Sequence, residues 1–335
     1  MSSGEIQGTL PFSVKREKSK EFTVAKQSFL EVSGKQVKVT NLDKVFYPVT
    51  GFTKGDVIDY YGDVSPVLLP HLKDRPISLK RYPEGVEGFF FYEKQCPSHR
   101  PDWVDTTRVS SRRREGFIDY CVINDLPALV WTANLADLEL HTFLHRAPKL
   151  KFPDFVAIDL DPGDPADIIN CCEIALLLKK FFDRLALKSF PKTSGSKGLQ
   201  IYVPLNNNRT SYDRTKAFAR ALAENLQAAH PDLVVSRMQK SLRRGKVLVD
   251  WSQNDEHKTT ICVYSLRAKD HPTVSTPVTW KEVTEAKKKG DSELLTFETR
   301  DVLKRIKRRG DIFASVLTLK QKLPQLGGPS TSATE

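Results

Sequence analysis

Two carboxylates one residue apart, Asp159 and Asp161, close the stretch Phe155-Val-Ala-Ile-Asp159-Leu-Asp161-Pro-Gly-Asp164. Its apolar, β-forming lead-in predicts a strand, and Pro162-Gly163 ends it. Side chains alternate along a strand, so Asp159 and Asp161 share one face while Ile158 and Leu160 turn to the core. Two adjacent anions repel unless a cation lies between them, and Mg²⁺ or Mn²⁺ takes such oxygen ligands together with substrate phosphates. A D-x-D by itself is more often a solvated strand end than a metal site. Lys246-Val-Leu-Val-Asp250 repeats the pattern, an apolar strand delivering a carboxylate at its end. If the two strands are neighbours, three carboxylates can hold two metals about 3.5–4 Å apart, the arrangement of phosphoryl transfer.

Between these strands lies Lys192-Thr-Ser-Gly-Ser-Lys-Gly-Leu199. Glycines let the backbone approach a ligand closely, and Ser194, Ser196 and Lys197 can then bond phosphate oxygens. It is not a Walker A loop, because a strand follows it and the G-x4-G-K spacing is absent. A flexible surface turn explains the composition equally well. His141 and His145 stand four apart on a predicted helix, a spacing that suits zinc, although His141 can equally donate to a phosphate oxygen. Tyr264-Ser-Leu-Arg267 places an arginine just after a strand, suited to bidentate phosphate contact. Lys44 and Lys54 flank a turn, and Ser110-Ser-Arg112-Arg113-Arg114 and Lys240-Ser-Leu-Arg243 read as basic loops. Phe89-Phe-Phe91-Tyr92 offers faces for stacking on an unpaired base, although alternation in a strand would bury at least two of the four.

These groups need a scaffold. Thr53-Lys-Gly-Asp56 is a capping-box start for a helix through Val64, and strands are predicted over 77–82, 88–92 and 118–123. A helix is predicted from Pro127 to His145, then the Asp159 strand, then a helix capped by Asp164 and Pro165 and running to Leu185. A strand over 199–203, a helix over 211–229, strands over 246–251 and 259–264, and a basic helix over 299–309 complete the pattern. Strands and helices alternate without a regular βαβ rhythm, so the expected class is α+β, a mixed α/β sheet rather than a doubly wound one. Residues 1–35 read as a flexible basic tail, 36–323 as a catalytic domain of two modules with a seam near 148–153, and 324–335 as a disordered tail. In the first tail, Gln7, Leu10 and Phe12 have the Q-x-x-L-x-F spacing of sliding-clamp peptides, a match short enough to arise by accident.

The chain of 335 residues carries 52 Lys and Arg against 41 Asp and Glu, a net +11 that favours a polyanionic partner. No run of about 18 apolar residues and no signal-peptide core occur, so the expectation is an intracellular protein without membrane contact. Five cysteines at uneven spacing argue against a disulfide framework, and Cys171 and Cys172 read as small core residues. Cys96-Pro-Ser-His99 holds two zinc-ligand types, but no second pair follows at finger spacing.

Taken together and in order, Asn41-Leu-Asp-Lys-Val-Phe-Tyr-Pro48, Asp159-Leu-Asp161-Pro-Gly, the Lys192–Leu199 loop, Lys240-Ser-Leu-Arg243, Val249-Asp250-Trp-Ser-Gln-Asn254 and Tyr264-Ser-Leu-Arg267 resemble the archaeo-eukaryotic primase superfamily. The likeness is closest to the polymerase domain of bacterial ligase D and its stand-alone relatives. The resemblance implies a primase fold, an RRM-like catalytic module packed against a second αβ module. It implies template-dependent nucleotidyl transfer of NTP or dNTP to a primer 3′-hydroxyl with Mn²⁺ or Mg²⁺, filling gaps and extending ends in non-homologous end joining. By position, Asp159, Asp161 and Asp250 would be the metal ligands. His141, Ser194, Lys197, Gln200 and Arg267 fall at the nucleotide contacts, and Lys44 and Lys54 at a downstream 5′-phosphate pocket. Lys80 and Arg81 fall among the DNA contacts, Phe91 and Tyr92 at aromatics near the template turn, and Arg112, Arg113, Arg114 and Arg243 in loops that bring two ends together. The implied partners are gapped, 5′-phosphorylated or 3′-overhanging DNA, Ku and a separate ligase, since no K-x-D-G ligase lysine motif appears. The implied setting is a monomer on the nucleoid in bacterial cytoplasm. In one departure, the family's phosphate loop ends in histidine where this chain has Gln200, which donates a hydrogen bond but cannot become cationic.

Overall fold

The computed structural model describes residues 27–111 and 115–324. The chain opens with the hairpin β1 (Gln27–Val32) and β2 (Lys35–Thr40), then the short pair β3 (Val45–Tyr47) and β4 (Phe52–Thr53) leading into α1 (Lys54–Leu72). Thr53 caps α1 as its sequence demands, its side chain accepting from the Asp56 amide while the Asp56 carboxylate accepts from the Thr53 amide at 2.8 Å. There follow β5 (Pro76–Arg81), β6 (Phe91–Glu93), β7 (Asp105–Ser110), β8 (Phe117–Val122), α2 (Leu126–Asn134) and β9 (Asp137–Thr142). The second half runs β10 (Phe155–Pro162), α3 (Ile168–Arg184), β11 (Phe190–Thr193), β12 (Leu199–Pro204), α4 (Tyr212–Ala229), β13 (Val234–Val235) and β14 (Val247–Asp250). Next, β15 (Thr260–Ile261) returns to the first half, and α5 (Trp280–Lys289), α6 (Thr299–Arg309) and α7 (Ser315–Thr318) close the chain.

Two sheets carry the architecture. One has the order β15-β9-β5-β8-β7, with β6 also on β5; the other has the order β11-β12-β10-β14-β13. In the second, β10, α3, β11, β12, α4 and β14 trace the β-α-β-β-α-β path of a split βαβ module, which is the RRM-like arrangement expected. Alternation along β10 decides what each face does. Val156, Ile158 and Leu160 join Cys171, Leu178, Phe218 and Leu222 in the core beneath the two helices. Phe155 and Ala157, with Tyr202, face the other way into the core of the first module. Asp159 and Asp161 continue that second face to the strand end, where the intermodule core gives way to an open cleft.

Several expectations are corrected. Residues 27–35, inside the segment read as a tail, form most of the hairpin β1–β2, because Ser33 and Gly34 take positive φ and turn β1 back along β2. The helix expected from Pro127 to His145 stops at Asn134. Ala136 turns left-handed, and Asp137-Leu-Glu139-Leu-His141 alternates as β9 with Leu138 and Leu140 buried. His141 and His145 therefore do not share a helix face, and His145 is buried against the Tyr212 hydroxyl at 2.8 Å. The helix after the Asp159 strand is capped by Asp167, not Asp164: the Asp167 carboxylate accepts from the Ile169 amide at 2.8 Å and the Asn170 amide at 3.3 Å. None of the four aromatics 89–92 is buried, because only Phe91 and Tyr92 enter the short β6 and Phe89 is 73% exposed. Cys96 and Cys121 are joined by a disulfide, whereas Cys171 and Cys172 are core residues as expected. The peptide Gln7, Leu10, Phe12, the arginines Arg112, Arg113 and Arg114, and residues 325–335 lie outside the described residues. Among the described residues no helix is long and apolar enough to cross a membrane.

Candidate active site

Antiparallel β10 pairs with β12 on one side and β14 on the other. The register sets Asp159 opposite both Gln200 and Asp250. Strand β11 extends the row, setting Lys192 opposite Gln200. Residues directly opposite each other share a face of the sheet, so one row across four strands reads Lys192, Gln200, Asp159, Asp250, with Asp161 two positions along. The strand neighbourhood inferred for Asp250 is thus present. Burial, and then the charges of Asp250 and Asp161, push the Asp159 carboxyl up to about 7 against the hydrogen bond from Gln200 and the charge of Lys192. Lys192 is itself fully buried, donates to the Ser275 hydroxyl at 2.6 Å, and is pulled down to about 7 chiefly by that burial.

Among the described residues no three His, Cys, Asp or Glu side chains converge on one point. Asp161 is 3.2 Å from the Arg243 guanidinium, and Asp250 accepts from the Ser252 amide at 2.7 Å and hydroxyl at 2.6 Å. Lys258 donates in turn to the Ser252 hydroxyl. The donor set nevertheless suits a hard cation: three carboxylates come from adjacent register positions, one of them is pushed up by burial and then by the charges of the other two, and another already draws a guanidinium.

The cleft above this row has a volume of about 530 Å³ and is lined by Asp159, Asp161, His141, Ser194, Lys197, Gln200 and Arg267, among others. Residues as distant in sequence as Ser78 and Arg267 are thereby closed into one site. The phosphate-loop glycines are needed sterically: a Cβ at Gly198 would lie 2.0 Å from the Leu160 carbonyl oxygen, and Gly195 sits at φ +69° against the Ser275 amide. The Ser194 hydroxyl accepts from the Ser196 and Gly198 amides at 3.2 and 3.1 Å, which folds the loop on itself. Arg267 Nη1 donates to the Ser194 carbonyl, tying the loop to the far wall. Lys197 is exposed, 3.5 Å from Asp164.

Glu139 was not singled out from sequence, yet it organises the wall opposite the aspartates. Its buried carboxylate lies 3.1 Å from Lys80, 3.0 Å from His141 and 3.3 Å from Arg267. Burial alone would raise this carboxyl, but the hydrogen bond from His141 and the charges of Arg267 and Lys80 hold it well below the ordinary range. Burial lowers His141 against the raising effect of Glu139, whose carboxylate its Nε2 meets at 3.0 Å. The signal for Glu139 was the alternation Asp137-Leu-Glu139-Leu-His141, which puts it on the His141 face once the segment is read as a strand.

The residues assigned to DNA divide into two groups. Lys44, Lys54 and Arg81 form one basic corner. Lys44 pairs with Glu84 at 2.7 Å, Arg81 with Glu93 at 2.7 Å, and Lys54 is buried and donates to the Thr40 hydroxyl at 3.2 Å. Lys80 lies under a fan of rings, 4.8 Å from the Phe90 centroid and 5.6 Å from that of Tyr92, and Tyr92 meets His141 edge-on at 5.6 Å. Phe89, Phe90 and Tyr92 present exposed faces beside the cleft, with Phe89 stacked on Phe91. Arg243 stands apart from this group, at Asp161 and the Met238 carbonyl.

A family model for the LigD primase-polymerase domain matches residues 53–313. The chain is 42% identical over 286 residues to the multifunctional non-homologous end joining protein LigD of Mycolicibacterium smegmatis, covering 83% of this chain and 36% of that protein. It is 34% identical over 275 residues to the bifunctional LigD of Bacillus subtilis, covering 82% of this chain and 43% of that protein. The chain thus spans well under half the length of these relatives. Among solved structures, the polymerase domain of Mycobacterium tuberculosis ligase D in complex with DNA superposes with a TM-score of 0.77 at 40% identity, over 84% of this chain and 98% of that domain. The split βαβ module, the carboxylate row and a family match running from the cap of α1 to the segment before α7 agree, and the chain belongs to the LigD primase-polymerase domain family.

Proposed function

We propose that this protein is a template-dependent nucleotidyltransferase that adds NTP or dNTP to a primer 3′-hydroxyl at gaps and ends of broken DNA. The register that sets Asp159 between Gln200 and Asp250, under a cleft walled by His141, Ser194 and Arg267, carries the reading. In the reaction the 3′-oxygen bonds to the α-phosphorus, the bond to the leaving pyrophosphate breaks, and the hydroxyl proton passes to solvent. Asp159, Asp161 and Asp250 would hold two Mn²⁺ or Mg²⁺ ions, which lower the pKa of the attacking hydroxyl and offset triphosphate charge. Arg267 and Ser194 bind the triphosphate, the His141 ring lines the same wall, and Glu139 orients both Arg267 and His141. Phe91 and Tyr92 flank the template base, while Lys44 and Lys54 receive a downstream 5′-phosphate. Ku and a DNA ligase activity are the proposed partners in joining.

The test is incubation of the pure protein with a gapped, 5′-phosphorylated duplex, nucleotides, and Mn²⁺ or Mg²⁺. Primer extension is expected. Binding without extension would instead mark a DNA-end binding module, and shortening of the primer a nuclease.

Gln200 tunes this site. Its Nε2 donates to the Thr260 hydroxyl at 3.0 Å and its Oε1 accepts from Tyr202 at 3.3 Å, so it is fixed as a neutral donor beside Asp159. Gln200→His restores a group able to carry charge toward a leaving pyrophosphate, and is expected to raise incorporation by up to about tenfold. Unchanged nucleotide KM and rate in a single-nucleotide extension assay would remove Gln200 from this role.

The basic corner predicts a pH dependence. Burial, and then the charges of Lys44 and Arg81, lower the Lys54 ammonium to about 8. Below that value Lys54 is cationic and pairs with a phosphate dianion; above it the contact loses its charge. The affinity advantage of a 5′-phosphate over a 5′-hydroxyl gap is therefore expected to hold at pH 7 and to shrink between pH 8 and 9.5, as read by anisotropy titration. Lys54→Met should abolish this pH dependence.

A further inference from the structure

The segment Tyr264-Ser265-Leu266-Arg267 delivers Arg267 to the cleft but belongs to no strand. It follows β15, and at Tyr264 the backbone turns through φ 66°, a left-handed value that an aromatic residue rarely takes. Part of its backbone pairs with residues 273–275, the Tyr264 amide donating to the Ser275 carbonyl at 2.7 Å and the Arg267 amide to the Thr273 carbonyl at 2.8 Å, and the peptide groups this leaves over need side-chain partners. Here three buried tyrosines from β3 and α1 meet it. Tyr60 donates to the Tyr264 carbonyl at 2.8 Å, and Tyr47 donates to the Arg267 carbonyl at 2.9 Å. The Tyr61 hydroxyl accepts from the Leu266 amide at 3.2 Å while donating to the Leu138 carbonyl of β9 at 2.7 Å. Tyr47, Tyr60 and Tyr61 are 0%, 3% and 0% exposed, so water cannot replace these contacts.

We infer that Tyr47, Tyr60 and Tyr61 are positioning residues for the incoming-nucleotide site, their hydroxyls fixing the Tyr264–Arg267 backbone so that the Arg267 guanidinium is held in place for a triphosphate. This rests on the reading of Arg267 as a triphosphate contact. The guanidinium is held from its own end by the Ser194 carbonyl and Glu139, and the tyrosines hold the backbone from which it projects. The unit that carries the tyrosines also carries the basic corner: the Lys54 amide that starts α1 donates to the Lys44 carbonyl at 2.8 Å, with Tyr47 on the strand between. The same hydroxyls therefore fix the spacing between the two phosphate-binding regions.

The inference is tested with Tyr47→Phe and Tyr60→Phe, and with Tyr212→Phe as the comparison. Tyr212 also loses a buried hydroxyl contact, to His145, but lies on α4 away from Arg267. For each protein the dissociation constant of an α,β-methylene triphosphate with Mg²⁺, the nucleotide KM and kcat in primer extension, and the melting temperature are measured. Tyr47→Phe is expected to weaken triphosphate binding and raise KM by about tenfold with kcat within about twofold, and Tyr60→Phe to do the same to a smaller extent. Tyr212→Phe is expected to lower the melting temperature similarly and leave both constants unchanged. Shifts in Tyr47→Phe and Tyr60→Phe no larger than in Tyr212→Phe overturn the inference. A wild type that binds the triphosphate without extending a primer overturns the polymerase reading alone, since the tyrosine effect is read from the binding constant.

Discussion

Replacing Asp159 by alanine is expected to lower primer extension by about 10³-fold or more, while affinity for gapped duplex stays within a few-fold. Asp159 is the central member of the carboxylate row, with Asp250 opposite it on β14 and Asp161 on its own strand. Without it the two remaining carboxylates are separated across the sheet and no longer flank one position. The same crowding gives a second, opposite effect on stability. The Asp159 carboxyl is pushed up to about 7, first by burial and then by Asp250 and Asp161. A carboxyl whose folded pKa exceeds its unfolded value near 3.8 binds its proton more tightly when folded. The cost of ionising it is absent below pH 3.8, grows as pH rises toward 7, and is complete above 7. Three units correspond to a ceiling on the order of 4 kcal/mol. In EDTA at pH 8, Asp159→Asn should therefore melt at a higher temperature than the wild type, with a smaller gain at pH 5. Added Mn²⁺ should raise the melting temperature of the wild type more than that of the variant. Equal melting temperatures in EDTA at pH 8 would show that the carboxylates do not crowd one another.

The trade of stability for chemistry explains why this row was legible before the fold was known. One carboxylate at the end of an apolar strand is ordinary, but two such strands bearing Asp159, Asp161 and Asp250 with the Lys192–Leu199 loop between them stand out by type and spacing. Alternation alone placed Asp159 and Asp161 on one face, and β10 shows that face leaving the intermodule core. The capping box at Thr53 was readable because it depends on only four residues. What sequence concealed was mostly a matter of period and register. Asp137 to Thr142 is a strand whose polar side chains are also buried, so Leu138 and Leu140 fit a helical pattern extended from α2 equally well. That misreading hid Glu139, whose partners Lys80 and Arg267 lie 59 and 128 positions away in sequence. The tyrosine contacts to the Tyr264–Arg267 backbone were hidden for a related reason: a hydroxyl that satisfies a distant carbonyl leaves no local pattern. The Cys96–Cys121 disulfide depends on the β6–β7 loop returning against β8, which spacing does not announce.

Glu139→Gln is expected to lower kcat/KM for nucleotide incorporation by about 10²-fold, a larger loss than at any other uncharged-isostere position outside the aspartate row. Glu139 is 1% exposed and is the shared counter-ion of Lys80 and Arg267 as well as the acceptor for His141. Glutamine preserves the shape and one carbonyl acceptor but removes the charge, leaving two buried or half-buried cations without compensation. Removing one partner from a buried ionic cluster costs about 3–5 kcal/mol of stability, so the melting temperature should fall as well. The kinetic effect separates from the structural one through its pH dependence. Burial, opposed chiefly by Glu139, keeps His141 below its ordinary value. Loss of the carboxylate removes the group that raises it and lowers the imidazole further, so His141 stays neutral to still lower pH in the variant. The acid limb of the kcat/KM profile assigned to His141 should then move to lower pH while the maximum drops. A variant that loses stability but keeps wild-type kcat/KM at 15 °C, with an unmoved acid limb, would reduce Glu139 to a packing role. It would also leave Arg267 positioned by the Ser194 carbonyl, the tyrosine hydroxyls and its own backbone pairing with Thr273.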